Sequence, residues 1–299
     1  MLIRVILNGK KATLPAIRDV IDEIRNDYNG TIDIRVTYEY GDVHRFIKEA
    51  IEDSVYRVII GGGDGTLNEA VDALMQYPKE SRVPLALMPL GTANDFAVGC
   101  NIPLEYLESL KLAIYSYTTP IDVIQVNSRY FINVATGGYG AEVTKDTPIW
   151  LKNMIGGGSY LITGIMKLAS ITPYKVDVKI PSKEFSITGV VSAICNGRQS
   201  GGGMVLAPNA FINDGLLDVF VVTDIVNADI NILLNELNEP SNNGTYIKRI
   251  QTPWIETFST NPAPLNLDGE PYNRDSHLRY EVKASAIEFA LPNNCPCLI

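Results

Sequence analysis

Six residues, Gly61-Gly62-Gly63-Asp64-Gly65-Thr66, follow directly on the apolar run Val55-Tyr56-Arg57-Val58-Ile59-Ile60 and lead into Leu67-Asn68-Glu69. A β-branched run, a turn stripped of side chains and a helical-looking run make a strand–turn–helix. Glycines let the backbone take φ > 0 and let a bulky ligand approach main-chain N–H groups. The helix that follows aims its positive dipole end at the turn, where a phosphate is favoured. Asp64 adds a carboxylate that could hold the Mg²⁺ of a nucleotide, directly or through water. The plainer alternative is a tight strand-to-helix turn with no ligand. The letters exclude two commoner phosphate loops: there is no G-x-x-x-x-G-K-[ST], and Asn68 stands where G-x-G-x-x-G needs its third glycine.

A second stretch has the same grammar. Met88-Pro89-Leu90-Gly91-Thr92-Ala93-Asn94-Asp95-Phe96-Ala97 ends a strand, turns at a glycine and offers Thr, Asn and Asp at a helix entrance. Read alone it could be a helix capped by Asn94 or Asp95. Beside the first turn in a parallel sheet, it would face the same crevice. The chain has two histidines, His44 and His277. His44 falls in a helical run and reads as a surface residue, so a base, if there is one, is expected to be a carboxylate.

The elements that must position these turns are legible from periodicity. Over about the first 120 residues, strand-like runs at 2–7, 32–38, 55–60 and 84–88 alternate with helical runs at 16–25, 43–51, 66–75 and 104–115, with Asp42 as a candidate N-cap. That alternation predicts a mostly parallel sheet with helices on both faces, a three-layer α/β domain. Ligands of such sheets bind at the carboxyl ends of strands, where Asn8, Thr37 and residues 61–66 fall. From about residue 118 short β-rich runs take over, at 121–126, 130–134, 175–180, 185–195, 216–222, 255–259, 278–282 and 286–291, as in an antiparallel sandwich or barrel. Helical segments at 148–169 and 228–238 and a surface loop at 239–244 interrupt them. The apolar groups at 150–155 and 160–166 could line an acyl channel or touch a bilayer, although helical apolar residues more often form core.

Composition bounds the function. A 299-residue chain with 46% hydrophobic and 20% charged residues reads as a globular protein, most naturally of two domains. Its net charge of -9 argues against nucleic acid and against lasting attachment to an anionic membrane. Four cysteines do not make a disulfide framework in a chain this long. Cys295-Pro296-Cys297 has no second pair or neighbouring histidine, so reduced thiols in the cytoplasm are expected rather than zinc. No apolar run reaches the ~18 residues of a spanning helix, and residues 1–7 read as a first strand rather than a signal peptide.

The two turns together, Gly-Gly-Asp-Gly-Thr and Pro-Leu-Gly-Thr-Ala-Asn-Asp-Phe-Ala, resemble the diacylglycerol kinase-like lipid kinases, a group that includes the sphingosine and ceramide kinases. With Asn133-Val134-Ala135-Thr136-Gly137-Gly138-Tyr139-Gly140, Asn196-Gly197-Arg198-Gln199-Ser200-Gly201-Gly202-Gly203, Asp214-Gly215-Leu216-Leu217-Asp218-Val219 and Asn266-Leu267-Asp268-Gly269-Glu270-Pro271, the series is most similar to the bacterial YegS-type lipid kinases, nearly end to end. The resemblance implies an α/β nucleotide-binding domain at 1–120, completed by 285–299, and an all-β sandwich at 121–284, with the active site in the cleft between them. It implies ATP contacts from Thr37, Gly63, Asp64, Gly65, Thr66, Leu67, Asn68, Glu69 and Thr92, with Asn8 near the phosphates. Asp64, Asp95 and Asp122 match aspartates proposed to hold the catalytic Mg²⁺ through water, though Asp122 could equally be a turn acceptor. Phe211, Asp214 and Leu216 match the ligands of a structural Mg²⁺ or Ca²⁺. Glu270 matches the proton acceptor.

What this implies is an ATP-dependent kinase moving the γ-phosphate to a free hydroxyl of a membrane lipid, diacylglycerol- or phosphatidylglycerol-like. It would be cytoplasmic and in transient contact with the membrane surface; a homodimer stays open. An NAD kinase-like phosphotransferase shares Gly-Gly-Asp-Gly-Thr but not the second turn. A non-catalytic nucleotide-binding regulator would not need Asp64, Asp95 and Glu270 together.

Overall fold

A computed structural model of the chain describes residues 1–138, 173–223, 228–239, 241, 244–273 and 275–299. The expected helix at 148–169, the apolar groups at 150–155 and 160–166, and part of the loop at 239–244 lie outside these. The described chain divides into two compact units: Met1–Val123 with Ile212–Asp214 and Lys283–Ile299, and Ile124–Phe211 with Gly215–Val282.

The first unit is a three-layer α/β structure. Strands β1 (Leu2–Leu7), β2 (Thr31–Val36), β3 (Arg57–Gly62) and β4 (Leu85–Pro89) are parallel in the order β4-β3-β1-β2. Every residue of β3 and β4 is buried, which is why both read as continuous apolar runs rather than alternating ones. Helices α2 (Pro15–Asp27) and α6 (Tyr106–Tyr115) bury Ile17, Ile21, Ile24, Leu110 and Ala113 against Ile3, Val5, Leu7, Ile59 and Met88 of the strands. Each fully buried side chain of this size contributes roughly 1.5–3 kcal/mol. Helices α3 (Asp42–Glu52) and α4 (Asp64–Met75) pack on one another. Arg57, buried at the foot of β3, donates to the carbonyls of Ala113, Ile114 and Ser116 at 2.6, 3.1 and 2.9 Å, satisfying the last turn of α6.

Two short helices escape the periodicity: α1 (Gly9–Ala12), where a turn is expected, and α5 (Asp95–Gly99), too short to show a period. Asp42 is not the N-cap of α3. Gly41 holds that position at φ +89°, while Asp42 opens the helix and turns its carboxylate back onto the N–H groups of Tyr38 and Glu39, at 2.6 and 3.0 Å. All four cysteines are buried and none is in a disulfide; Cys297 Sγ donates to the Gly99 carbonyl at 3.0 Å.

The second unit is a β-sandwich. One sheet contains β16 (Glu270–Tyr272), β15 (Leu265–Leu267), β7 (Val134–Gly138), the C-terminal half of β9 (Lys183–Cys195), β12 (Leu217–Thr223) and β13 (Ile247–Thr252), paired antiparallel. The N-terminal half of β9 passes into the other sheet, pairing with β8 (Tyr174–Ile180), then β14 (Trp254–Phe258) and β17 (His277–Ala290). Between the sheets lies a core that includes Val178, Ile194, Val219, Ile255, Leu265 and Tyr280. Along β9, Ile194 faces this core, while its neighbours Ala193 and Cys195 face a second cluster that Leu233 of helix α7 (Ile230–Asn238) helps to build. That is the period-2 alternation of a strand covered on both sides.

Two expected strands change shape. The runs 278–282 and 286–291 form the single strand β17, kinked where Ser285 takes φ +49° and donates its N–H to Asp122 Oδ1 at 2.7 Å. Conversely, the single run expected at 130–134 breaks into β6 (Arg129–Phe131) and β7. The N–H groups of Ile132, Asn133 and Val134 leave the ladder to bond the buried Asp268 carboxylate at 2.9, 3.1 and 2.7 Å.

Candidate functional site

The two glycine turns meet. A Cβ on Gly63 would lie 2.9 Å from the Gly91 Cα, and one on Gly91 would lie 2.6 Å from the Gly63 Cα. Leu90 N–H donates to the Gly62 carbonyl at 2.8 Å. None of Gly61, Gly62, Gly63 or Gly65 has positive φ, so the expectation of left-handed backbone here is not met. Gly61, Gly62 and Gly63 stand where a Cβ would collide with neighbouring atoms. Gly63 is extended (φ -95°, ψ -170°) and forms the N-cap of α4 without a side chain, leaving the first N–H groups of a twelve-residue helix facing the turn.

Asp64 ties the two turns together. Its Oδ2 accepts from Asp95 N–H and its Oδ1 from Phe96 N–H, both at 3.1 Å, so it caps α5 from the start of α4. Burial pushes its carboxyl up, with the nearby Asp95 charge adding to the shift and the two N–H bonds opposing it. Asn94 (φ +52°) reaches back instead, accepting Gly91 N–H at 2.8 Å and donating to the Gly91 carbonyl at 3.1 Å. The expectation that Asn94 or Asp95 caps this helix thus gives way to Asp64, thirty-one residues away in the chain.

The other positions expected near the nucleotide cluster on the same edge. Asn8 caps α1 through Lys10 N–H and donates from Nδ2 to Thr66 Oγ1 at 3.3 Å. Thr37 Oγ1 accepts Gly9 N–H at 3.1 Å. Thr92 is exposed, whereas Leu67 and Asn68 are buried in α4, so Leu67 can offer a ligand only its main chain. Glu69 Oε1 stands 3.5 Å from His44 Nδ1, so this half-exposed histidine is also a neighbour of the α4 carboxylates.

Asp122 is buried on β5 (Thr118–Val126) and accepts Ser285 N–H. Asp214 precedes Gly215, a left-handed turn at φ +74°, and the Phe211 ring lies 5.4 Å from the Arg198 guanidinium. Glu270 belongs to the second unit. It is exposed beside the Asp268–Gly269 turn of the β15–β16 hairpin, pairing with Leu267. That turn is held from below: Asp268 is clamped by three N–H groups, Asn266 Oδ1 accepts Gly269 N–H at 2.7 Å, and Gly269 takes φ +97°. Asp268 as a clamp is what sequence reasoning missed, because its partners lie about 135 residues away.

The donors fit a hard cation. Asp64 and Asp95 sit beside one another, and among the described residues no cationic side chain is a partner of Asp64. Among the described residues no group of three or more His, Cys, Asp or Glu assembles into a metal cage. One or two carboxylates with retained water and substrate phosphate is the usual manner of Mg²⁺.

Parallel strands ending in two apposed glycine turns, each leading to a helix N-terminus, together with a β-sandwich, define a phosphotransferase of the diacylglycerol kinase type. The diacylglycerol kinase catalytic domain matches residues 3–126, and the YegS C-terminal NAD kinase beta sandwich-like domain matches residues 133–288. The chain belongs to the YegS-like lipid kinase family. It is 47% identical to a probable lipid kinase YegS-like of Shewanella frigidimarina over 298 residues, 99% of this chain and 96% of that one. It is 42% identical to a protein of the same description from Yersinia pestis, covering 98% of each. Two solved structures from Bacillus anthracis share the fold, with TM-scores of 0.79 and 0.76 at 23% and 21% identity. They are covered to 98% and 97%, with 98% of this chain covered in each case, and the second is described as a diacylglycerol kinase. No helix among the described residues is long and apolar enough to cross a membrane.

Proposed function

We propose that the protein transfers the γ-phosphate of ATP to a free hydroxyl of a membrane lipid of the diacylglycerol or phosphatidylglycerol kind, with Mg²⁺. The observation that carries this reading is the pair of glycine turns joined by Asp64, whose half-buried carboxylate stands beside Asp95 with no cationic partner among the described residues. Phosphoryl transfer demands positioning and charge stabilisation more than covalent work. The α4 N-terminus supplies N–H donors for phosphate oxygens, and the absence of Cβ atoms at Gly63 and Gly91 leaves them accessible. In this reading Asn8, Thr37, residues 63–69 and Thr92 hold the nucleotide. Asp64, Asp95 and Asp122 hold Mg²⁺, which when bound would neutralise the phosphate charge.

Glu270 takes the proton of the lipid hydroxyl; the clamped Asp268–Gly269 turn presents its carboxylate from a rigid hairpin. Phe211, Asp214 and Leu216 would hold a structural Mg²⁺ or Ca²⁺, with one carboxylate, so modest affinity. The nucleotide-binding part is then 1–120 with 285–299 and the sandwich 121–284, in a cytoplasmic enzyme that visits the membrane.

Purified protein with labelled ATP, Mg²⁺, dispersed lipids and, in parallel, NAD tests the reading. Label on lipid supports it; label on NAD alone replaces it with an NAD kinase; none anywhere favours a regulator. Glu270→Gln is expected to lower turnover by about 10²–10⁴-fold with ATP affinity retained. Undiminished turnover would remove Glu270 from the mechanism.

A further inference from the structure

Tyr38 and Tyr40 are 97% and 94% exposed, the two most exposed large hydrophobic side chains among the described residues. A lone exposed apolar residue is ordinary, but these two stand on a loop that is held still. Its start is tied down: Thr37 N–H donates to the Leu7 carbonyl at 2.9 Å, and Thr37 Oγ1 accepts Gly9 N–H. Its middle is clamped by Asp42, which accepts the N–H groups of Tyr38 and Glu39, and Gly41 closes it at φ +89°. The backbone is ordered before anything binds, while both rings lie in water. A ligand that met rings so placed would cost little further ordering.

We propose that Tyr38 and Tyr40 form a stacking platform for the base of the bound nucleotide. The inference rests on the kinase reading above for the nucleotide, and on this loop for the place of its base. Sheet order sets that place. In the order β4-β3-β1-β2 the phosphate turn closes β3 and this loop closes β2, two strands over and on the order of 10 Å away. A ribose can bridge such a gap. Contacts tie the two ends together: Thr37 holds Gly9, and its neighbour Asn8 donates to Thr66 Oγ1 of the phosphate turn at 3.3 Å. A Cβ on Gly9 would lie 2.1 Å from the Thr37 carbonyl oxygen, so the loop starts hard against the end of β1. From there the chain enters α3, which packs on α4, the helix whose N-terminus faces the turn. A bilayer surface also takes exposed tyrosines. Glu39, exposed between the two rings, disfavours an anionic bilayer and does not oppose a neutral base. Stacking uses the π-face that every base carries, so the platform holds the donor by its ring.

Calorimetric titration of the full-length protein, in Mg²⁺, with ATP or with inorganic tripolyphosphate separates the base from the phosphates. Wild type should bind ATP more tightly than tripolyphosphate. Tyr38→Ala/Tyr40→Ala should weaken ATP binding by about tenfold or more and leave tripolyphosphate binding unchanged. Both side chains are exposed, so their removal leaves the core intact. Tyr38→Phe/Tyr40→Phe keeps the rings and should bind ATP like wild type. In turnover, the alanine variant should raise KM for ATP by the same factor with kcat nearly kept, the pattern of a contact made equally in ground and transition states.

An alanine variant with unchanged ATP affinity would overturn the proposal while leaving the kinase reading intact; weakened binding of that variant to phosphatidylglycerol vesicles would then give the tyrosines to the membrane. Equal losses for ATP and tripolyphosphate would overturn it too, by showing that the rings support the loop rather than a base. Equal losses in the alanine and phenylalanine variants would replace stacking with a hydrogen bond to a hydroxyl. Wild-type protein that binds neither ATP nor tripolyphosphate would retire the nucleotide reading itself.

Discussion

Two loops at the carboxyl edge of the parallel sheet each bend around an aspartate that accepts backbone N–H groups, Asp42 buried and Asp64 half-buried, and they differ in what surrounds the charge. In the loop before α3, Asp42 takes the N–H groups of Tyr38 and Glu39, and Arg45 meets it at 2.6 Å. The two N–H bonds and then Arg45 hold its carboxyl at about 2. In the turn before α4, Asp64 takes the N–H groups of Asp95 and Phe96, has no cationic partner among the described residues, and is pushed up by burial and by Asp95. Their glycines differ too. Gly41 is needed for its φ of +89° and has nothing within 4 Å of a Cβ, whereas Gly63 and Gly91 are needed for space. The first loop is a finished structural device. The second sets two carboxylates, Asp64 and Asp95, side by side beneath open backbone N–H groups; the like charges are unfavourable alone and favourable around a metal ion, while the N–H groups suit a phosphate.

The largest effect that separates the two loops is on turnover. Asp64→Ala should lower it on the order of 10²–10³-fold, the scale of losing one electrostatic group at a transfer site, while Asp42→Ala should change it by no more than about threefold. Equal losses in an assay of both variants would dissolve the distinction. Next comes the glycine contrast. Gly91→Ala forces a Cβ into the Gly63 backbone and should cost about 1–3 kcal/mol in urea unfolding. Gly41→Ala meets no atom and should cost about 1 kcal/mol for its left-handed φ, with Gly41→Asn recovering part of it. The opposite ranking would mean the turns are not held by contact.

Smallest is the acid response. Because the folded value of Asp42 lies below its ordinary one, its stabilisation is complete above about pH 4 and is lost as pH falls toward 2. Asp64 has the reverse sign: its raised carboxyl weighs against the folded state as pH climbs through its folded value. In melting scans, Asp42→Asn should therefore narrow the gap between Tm near pH 4 and near pH 2, and Asp64→Asn should not.

The parallel sheet was readable because burial on both faces writes itself as unbroken apolar runs, and the turns because Gly63 and Gly91 can be nothing larger. The clamps were not readable. Asp64 caps a helix 31 residues downstream, and Asp268 takes N–H groups from residues 132–134; neither pairing leaves a local signal. The same long-range bond explains why the run at 130–134 looks like one strand and folds as the ends of two. Asp42 failed differently: an aspartate before an apolar-periodic run suits an N-cap, and only the left-handed Gly41 reassigns that position. The sandwich was visible as a class from its short runs, while its register, and the kink of β17 at Ser285 where that strand leaves it, arise from contacts between strands far apart in sequence.

The measurement that bears most directly on the account is the affinity for ATP with and without Mg²⁺, by titration calorimetry on wild type and Asp64→Asn. The account predicts that Mg²⁺ tightens ATP binding to wild type by about tenfold or more and that Asp64→Asn loses this increment while still binding metal-free ATP. A variant that keeps the full Mg²⁺ increment would contradict it.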